Sequence, residues 1–131
     1  MLAATNKVRQ LFRDLVSTPR ALRTVYDNDP TTLPTSGEWC RLTVTLGESI
    51  ATCLGGERYR TTGLAIAQLF APLRTGDANL LAHGDAIQLA FRGRRENSPS
   101  LTFLSPHMAG KDREEAMLQV TINIPFRVDE T

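Results

Sequence analysis

Along the chain the apolar positions switch between helical and alternating spacing, and each switch predicts an element. Val8, Leu11, Phe12, Leu15 and Val16 recur at the i, i+3, i+4, i+7, i+8 interval, with Lys7, Gln10, Arg13 and Asp14 on the other face. This predicts an amphipathic helix over roughly residues 4–17, ended at Ser17-Thr18-Pro19 because proline disfavours helical backbone in the residue before it. A short apolar step at Thr24-Val25-Tyr26 follows. Residues 27–37 hold two prolines, a glycine and several side chains that bond their own backbone, so they read as a surface loop, and loops that long are often used in contacts.

From Trp39 the period becomes two. Cys40, Leu42, Val44 and Leu46 alternate with Arg41, Thr43 and Thr45, as in a strand with one buried face. Gly47-Glu48 offers a turn, Ile50–Leu54 a second short strand, and Gly55-Gly56 a tight hairpin. Residues 59–70 carry apolar side chains on both faces, which predicts a strand central in its sheet. Helical spacing returns over Thr75–Phe91, with Leu80, His83, Ile87, Ala90 and Phe91 in a stripe and Asp77 near the positive end of the dipole. Arg92-Gly93 closes this helix.

The last third predicts a hairpin: a strand near Leu101–Phe103, a polar tip over about 107–115, and a long return strand. In that return strand Leu118, Val120, Ile122, Ile124, Phe126 and Val128 alternate strictly with Gln119, Thr121, Asn123, Pro125 and Arg127. Pro125 lacks a ladder donor, which predicts an edge there. The order of elements implies an α+β fold: a mainly antiparallel or mixed β-sheet with two helices packed on one face.

The length of 131 residues fits one domain spanning residues 1–131, and 41% hydrophobic with 22% charged residues is ordinary for a globule. Fifteen Lys and Arg balance 14 Asp and Glu, so attraction to nucleic acid would require a local patch. No apolar run approaches a membrane span and the amino terminus lacks a signal-peptide layout, so a membrane partner is not expected and the cytosol of the cell that makes the protein is the expected compartment. Cys40 and Cys53 lie in apolar alternating stretches without metal-ligand spacing, and are expected to be buried free thiols.

Candidate chemistry changes little. His83 and His107 have no nucleophile or carboxylate pattern around them, and read as packed or solvated histidines. Gly55-Gly56 is followed by Glu57, unlike the lysine and hydroxyl of a phosphate loop. No carboxylate pair suggests acid-base work, no cofactor is implied, and an enzyme is not expected. Two surfaces stand out. Arg58, Arg60, Arg92, Arg94 and Arg95 either form a local basic surface for phosphate or an acidic neighbour, or are a solvated helix end and hairpin. Lys111-Asp112-Arg113-Glu114-Glu115 is either a solvated tip or a site of pairing between subunits.

An ordered set of stretches carries a resemblance. Tyr26-Asp27-Asn28 precedes a proline-containing loop, then come the strand Trp39–Leu46, Ser49–Gly56 leading into Arg60-Thr61-Thr62-Gly63, Phe70-Ala71-Pro72 and Gly76. Ala90-Phe91-Arg92-Gly93 and Gln119 to Phe126 complete it. Over roughly residues 24–130 the chain resembles the tail terminator-like proteins of long-tailed bacteriophages. It departs from them at Asp29-Pro30-Thr31-Thr32, where the family tends to carry apolar or aromatic residues, and its first helix matches only in amphipathic character. The resemblance implies a virion protein: a homo-oligomeric, hexameric ring that caps the head-proximal end of the tail tube and stops its polymerisation. Its partners would be the tail tube protein, neck or head-completion proteins, and DNA passing through the lumen. The alternatives are another neck or tail-completion subunit and, in a different class, a nucleic-acid-binding module built on the arginines above.

Overall fold

The computed structural model describes residues 2–27, 37–52, 58–73, 77–97, 99–114 and 117–130. Helix α1 spans Leu2–Phe12 and buries Ala4, Val8, Leu11 and Phe12, the stripe that its spacing predicts. It continues as a π-helical turn over Arg13–Ser17, which keeps Val16 buried. The exit is a Schellman-type reversal, in which Leu22 N–H bonds the Ser17 carbonyl at 2.9 Å and Ala21 N–H that of Thr18 at 3.2 Å. Such a reversal needs a left-handed residue, and Ala21 supplies it at φ 52° despite its Cβ. Ala21→Gly is therefore expected to stabilise the fold by about 1 kcal/mol, read as a raised urea midpoint with unchanged slope.

Strand β1 (Arg23–Tyr26) pairs in parallel with the start of β2 (Trp39–Ala51). The other pairings are antiparallel. Strand β2 pairs with β3 (Tyr59–Pro72), and β3 along its whole length with β7 (Met117–Glu130). Helix α2 (Ala78–Phe91) follows β3, and Gly93, at φ 65°, turns the chain into β4 (Arg95–Asn97). Strand β4 makes a tight hairpin with β5 (Ser100–Phe103), and β5 lies against the end of β7. Strand β6 (His107–Glu114) lies against the start of β7. The sheet runs β1-β2-β3-β7-β5-β4, with β6 sharing one side of β7 with β5.

Three local expectations are corrected. Gly47-Glu48 is no turn: β2 runs on through a register irregularity between Leu46 and Ser49, so Ile50 and Ala51 end the same strand. Such a bulge absorbs an extra residue without ending the ladder. The polar stretch from His107 is a paired strand, held by backbone bonds that need no apolar side chains. Pro125 is central, paired with Leu64 on β3. Its carbonyl accepts from Leu104 N–H at 2.9 Å, so its ring nitrogen faces the same side, at the gap where β5 gives way to β6. Asp77 is the N-cap residue of α2, at the positive end of its dipole as expected, with its carboxylate bonded to Lys111 of β6 rather than to the first turn of the helix.

Both helices cover one face of the sheet, and the main core lies between. Leu80, Ile87 and Phe91 of α2 and Val8, Phe12 and Val16 meet the inward residues of β2, β3, β5 and β7. Gly84 lets α2 approach the sheet closely, since a Cβ there would stand 3.1 Å from Ile122. Cys40 is one of the buried core positions, as expected; Cys53, Gly55-Gly56 and most of the loop at 27–37 fall outside the described residues.

Candidate functional surfaces

The face of the sheet away from the helices can be read from the register, because directly paired residues share a face. It carries Arg23 and Val25 of β1, then Trp39, Arg41, Thr43 and Thr45 of β2. From β3 come Arg60, Thr62, Leu64, Ile66, Gln68 and Phe70, and from β7 Gln119, Thr121, Asn123, Pro125, Arg127 and Asp129. Ser100 and Thr102 of β5, Arg95 and Asn97 of β4, and His107, Gly110, Asp112 and Glu114 of β6 lie on it too. At one corner Trp39, Phe70 and Val25 form a small second core, with the two rings stacked at 4.3 Å. The Arg41 guanidinium lies 5.6 Å from both ring centroids, a cation–π arrangement.

Five arginines (23, 41, 60, 95 and 127) stand on it, against the acidic positions Asp112, Glu114 and Asp129, in a chain whose net charge is +1. Asp129 is committed to Arg60 at 2.7 Å. Arg23, Arg41, Arg95 and Arg127 have no ion-pair partner among the described residues, and the Nε of Arg127 is buried without a hydrogen bond.

The arginines singled out from the sequence divide accordingly. Arg60 and Arg95 share the face away from the helices, three strands apart. Arg58 is exposed at the entry to β3, beside a cleft of about 300 Å³ lined also by Thr52, Tyr59, Ser100 and Glu130. Arg92 is exposed at the end of α2, and Arg94 bonds Glu96 at 3.0 Å. Arg23, Arg41 and Arg127 escape sequence reasoning. Arg41 and Arg127 alternate with apolar residues and Arg23 shares its phase with Val25, but which strands adjoin is invisible without the register.

The second surface is β6. Its outer edge is unpaired among the described strands, and His107 to Arg113 are exposed. Asp112 and Arg113 lie on it, with Glu114 at its end paired to Met117. The Lys111–Asp77 pair fastens it to α2, and the Lys111 ammonium holds the Asp77 carboxyl below its usual range. At the far side of the sheet β1 covers only Trp39–Leu42, so the rest of β2 presents a second open edge among the described strands.

A polar cluster joins α2 to the segment before β2. Arg20 Nε donates to His83 Nδ1 at 2.7 Å, which leaves His83 Nε2–H to donate to Glu38 at 3.1 Å, and Asn79 bonds the other oxygen of that carboxylate at 3.1 Å. Both nitrogens of His83 are thus engaged in holding structure. His107 is exposed and bonds the Ser105 carbonyl. Burial pushes the Cys40 thiol far above its ordinary range, which withholds the thiolate a nucleophile needs. Among the described residues no cluster of His, Cys, Asp and Glu could hold a metal ion, and no helix is long and apolar enough to cross a membrane.

A family model described as phage tail terminator protein matches residues 1–126. A solved structure superposes with a TM-score of 0.70 at 18% sequence identity, over 95% of this chain and 94% of that one, a likeness of fold. Matches extend to 12 chains of solved structures, and no curated protein matches.

Proposed function

The chain belongs to the phage tail terminator proteins, structural components of the virion tail, and from that premise we propose that it forms a ring capping the head-proximal end of the tail tube. The family match along residues 1–126 carries the reading. In this role the subunit stops tube polymerisation, joins the tail to neck or head-completion proteins, and leaves a lumen for DNA. It assembles in the host cytoplasm.

The architecture supports a head-to-tail ring. A cyclic assembly needs two different patches on each subunit, and open strand edges seek partners for their unpaired N–H and C=O groups. The edges of β6 and of β2 beyond Leu42 lie towards opposite sides of one sheet and fit that requirement. Asp112, Arg113 and Glu114 on β6 are then contact residues between copies or with the tube.

Native mass measurement of the purified protein and electron microscopy of tails test the reading. The expected results are a closed oligomer, label confined to the head-proximal tail end, and overlong or unjoined tails when the protein is missing. A strict monomer absent from virions overturns it.

A further inference from the structure

The two flanks of the sheet are stepped, and the steps match. At one end the hydrogen-bonded order is β1-β2-β3-β7-β6, five strands across, and at the other it is β2-β3-β7-β5-β4, again five. The second level is offset from the first by one strand, so β1 projects beyond β2 on one flank and β4 projects past the line of β6 on the other. We infer that these flanks lap together between neighbouring copies: β6 of one copy pairs with β1 of the next, and β4 lies beside the part of β2 that β1 leaves uncovered. The assignment rests on the ring reading above and adds to it the seam that closes the ring.

Strand direction is the first ground. Strand β1 runs parallel to β2, and three antiparallel steps lead from β2 through β3 and β7 to β6, so β6 runs opposite to β1. Every copy in a cyclic ring stands the same way up, so β6 meets the neighbouring β1 antiparallel, the more stable sense of pairing.

Height is the second ground. The ladders set Arg23 of β1 and Asp112 of β6 in one row across the face away from the helices, through Trp39, Phe70 and Gln119. Tyr26 and Met108 end another row, on the helix-covered face, through Leu42, Ala67 and Ile122. A neighbour at the same height therefore brings its Asp112 to Arg23 and its Met108 to Tyr26.

The side chains suit these meetings. Arg23 and Asp112 are exposed and have no ion-pair partner among the described residues, the Asp112 carboxylate accepting only the N–H of Arg113 at 2.7 Å there. Met108 is 43% exposed and Tyr26 half-buried, and a thioether packs favourably beside an aromatic ring. Charges along an edge strand such as β6 discourage indiscriminate pairing, so the edge selects a strand that supplies the opposite charge. Within one copy Arg23 and Asp112 stand four strand spacings apart, roughly 19 Å at about 4.8 Å each, so any contact between them joins two copies.

The test exchanges the charges. Arg23→Asp and Asp112→Arg alter exposed side chains, and wild-type urea midpoints in dilute protein would show that each variant folds. Each places like charges at every seam and is expected to raise the concentration at which rings form, followed by native mass, by about tenfold or more. The variant carrying both changes restores opposite charges and is expected to assemble close to the wild-type concentration. Mixed in equal amounts, the two single variants are expected to form rings in which they alternate, each supplying the charge the other lacks. Oxidation of rings carrying Arg23→Cys and Asp112→Cys together is expected to give a ladder of covalent oligomers on a denaturing gel, and Arg92→Cys with Asp112→Cys none.

Single reversals that assemble like the wild type overturn the inference, as does a double reversal no better than the singles. So does an oxidised Arg23→Cys, Asp112→Cys protein that runs as a monomer on the denaturing gel while native mass shows rings. The ring reading is judged separately, on the wild type: a strict monomer removes it, whereas wild-type rings indifferent to these charges remove the seam alone.

Discussion

Gly63→Val is expected to destabilise the protein by about 3 kcal/mol, a large fraction of the stability of a chain this size. Gly63 pairs with Phe126 across the central ladder, and a Cβ built at Gly63 would stand 2.4 to 2.9 Å from three atoms of the Phe126 ring. Real side chains do not approach that closely, so either the ring or the ladder must move. The ring is only 1% exposed and packs at 5.8 Å against Phe103, and the strand beneath is hydrogen-bonded on both sides. Neither has room to yield. The left-handed backbone of Gly93 is a different case, because nothing lies within 4 Å of a Cβ there and the strain is conformational. Urea unfolding of Gly63→Ala and Gly63→Val should give successively lower midpoints. Adding Phe126→Leu to Gly63→Ala should recover part of the loss, so that the double variant is more stable than the sum of the singles. A neutral Gly63→Ala would mean that Phe126 does not lie over the glycine.

Much of this packing is legible in the sequence. The unbroken alternation from Leu118 to Val128 appears as the inward face of β7, and the helical spacings appear as the stripes of α1 and α2. These patterns are readable because burial of one face imposes the period. Where burial does not act, the pattern disappears. Arg95-Glu96-Asn97 and the stretch from His107 show no apolar alternation, yet both are strands, because pairing with β5 and β7 satisfies their backbones. Pro125 suggests an edge because a missing N–H normally exposes one, and only the exchange of β5 for β6 beside it makes a central proline harmless. The set of arginines on the face away from the helices is half legible. Arg60 and Arg95 stand out as charges close in sequence to other arginines, while Arg23, Arg41 and Arg127 join them only through a register that no single strand encodes.

Phe91→Ala is expected to remove about 3 to 5 kcal/mol, the range for emptying a fully buried aromatic site. Phe91 is wholly buried and is the junction of a row of four rings, lying 6.2 Å from Phe12 and 5.0 Å from Phe103, which in turn meets Phe126 at 5.8 Å. The row ties α1, α2, β5 and β7 together, so truncation removes ring packing on two sides and leaves a void bounded by three elements. Phe91→Leu should lose less by keeping most of the volume, and Leu89→Ala, two residues away on the 79% exposed side, should stay within about 0.5 kcal/mol of wild type. Urea midpoints with unchanged slopes would give these differences directly. Because assembly stabilises only the folded subunit, the loss should be largest in dilute protein and partly masked where rings form. A Phe91→Ala deficit below about 1 kcal/mol in dilute protein would mean that the core closes around the void, and that the aromatic row does not hold the helices to the sheet.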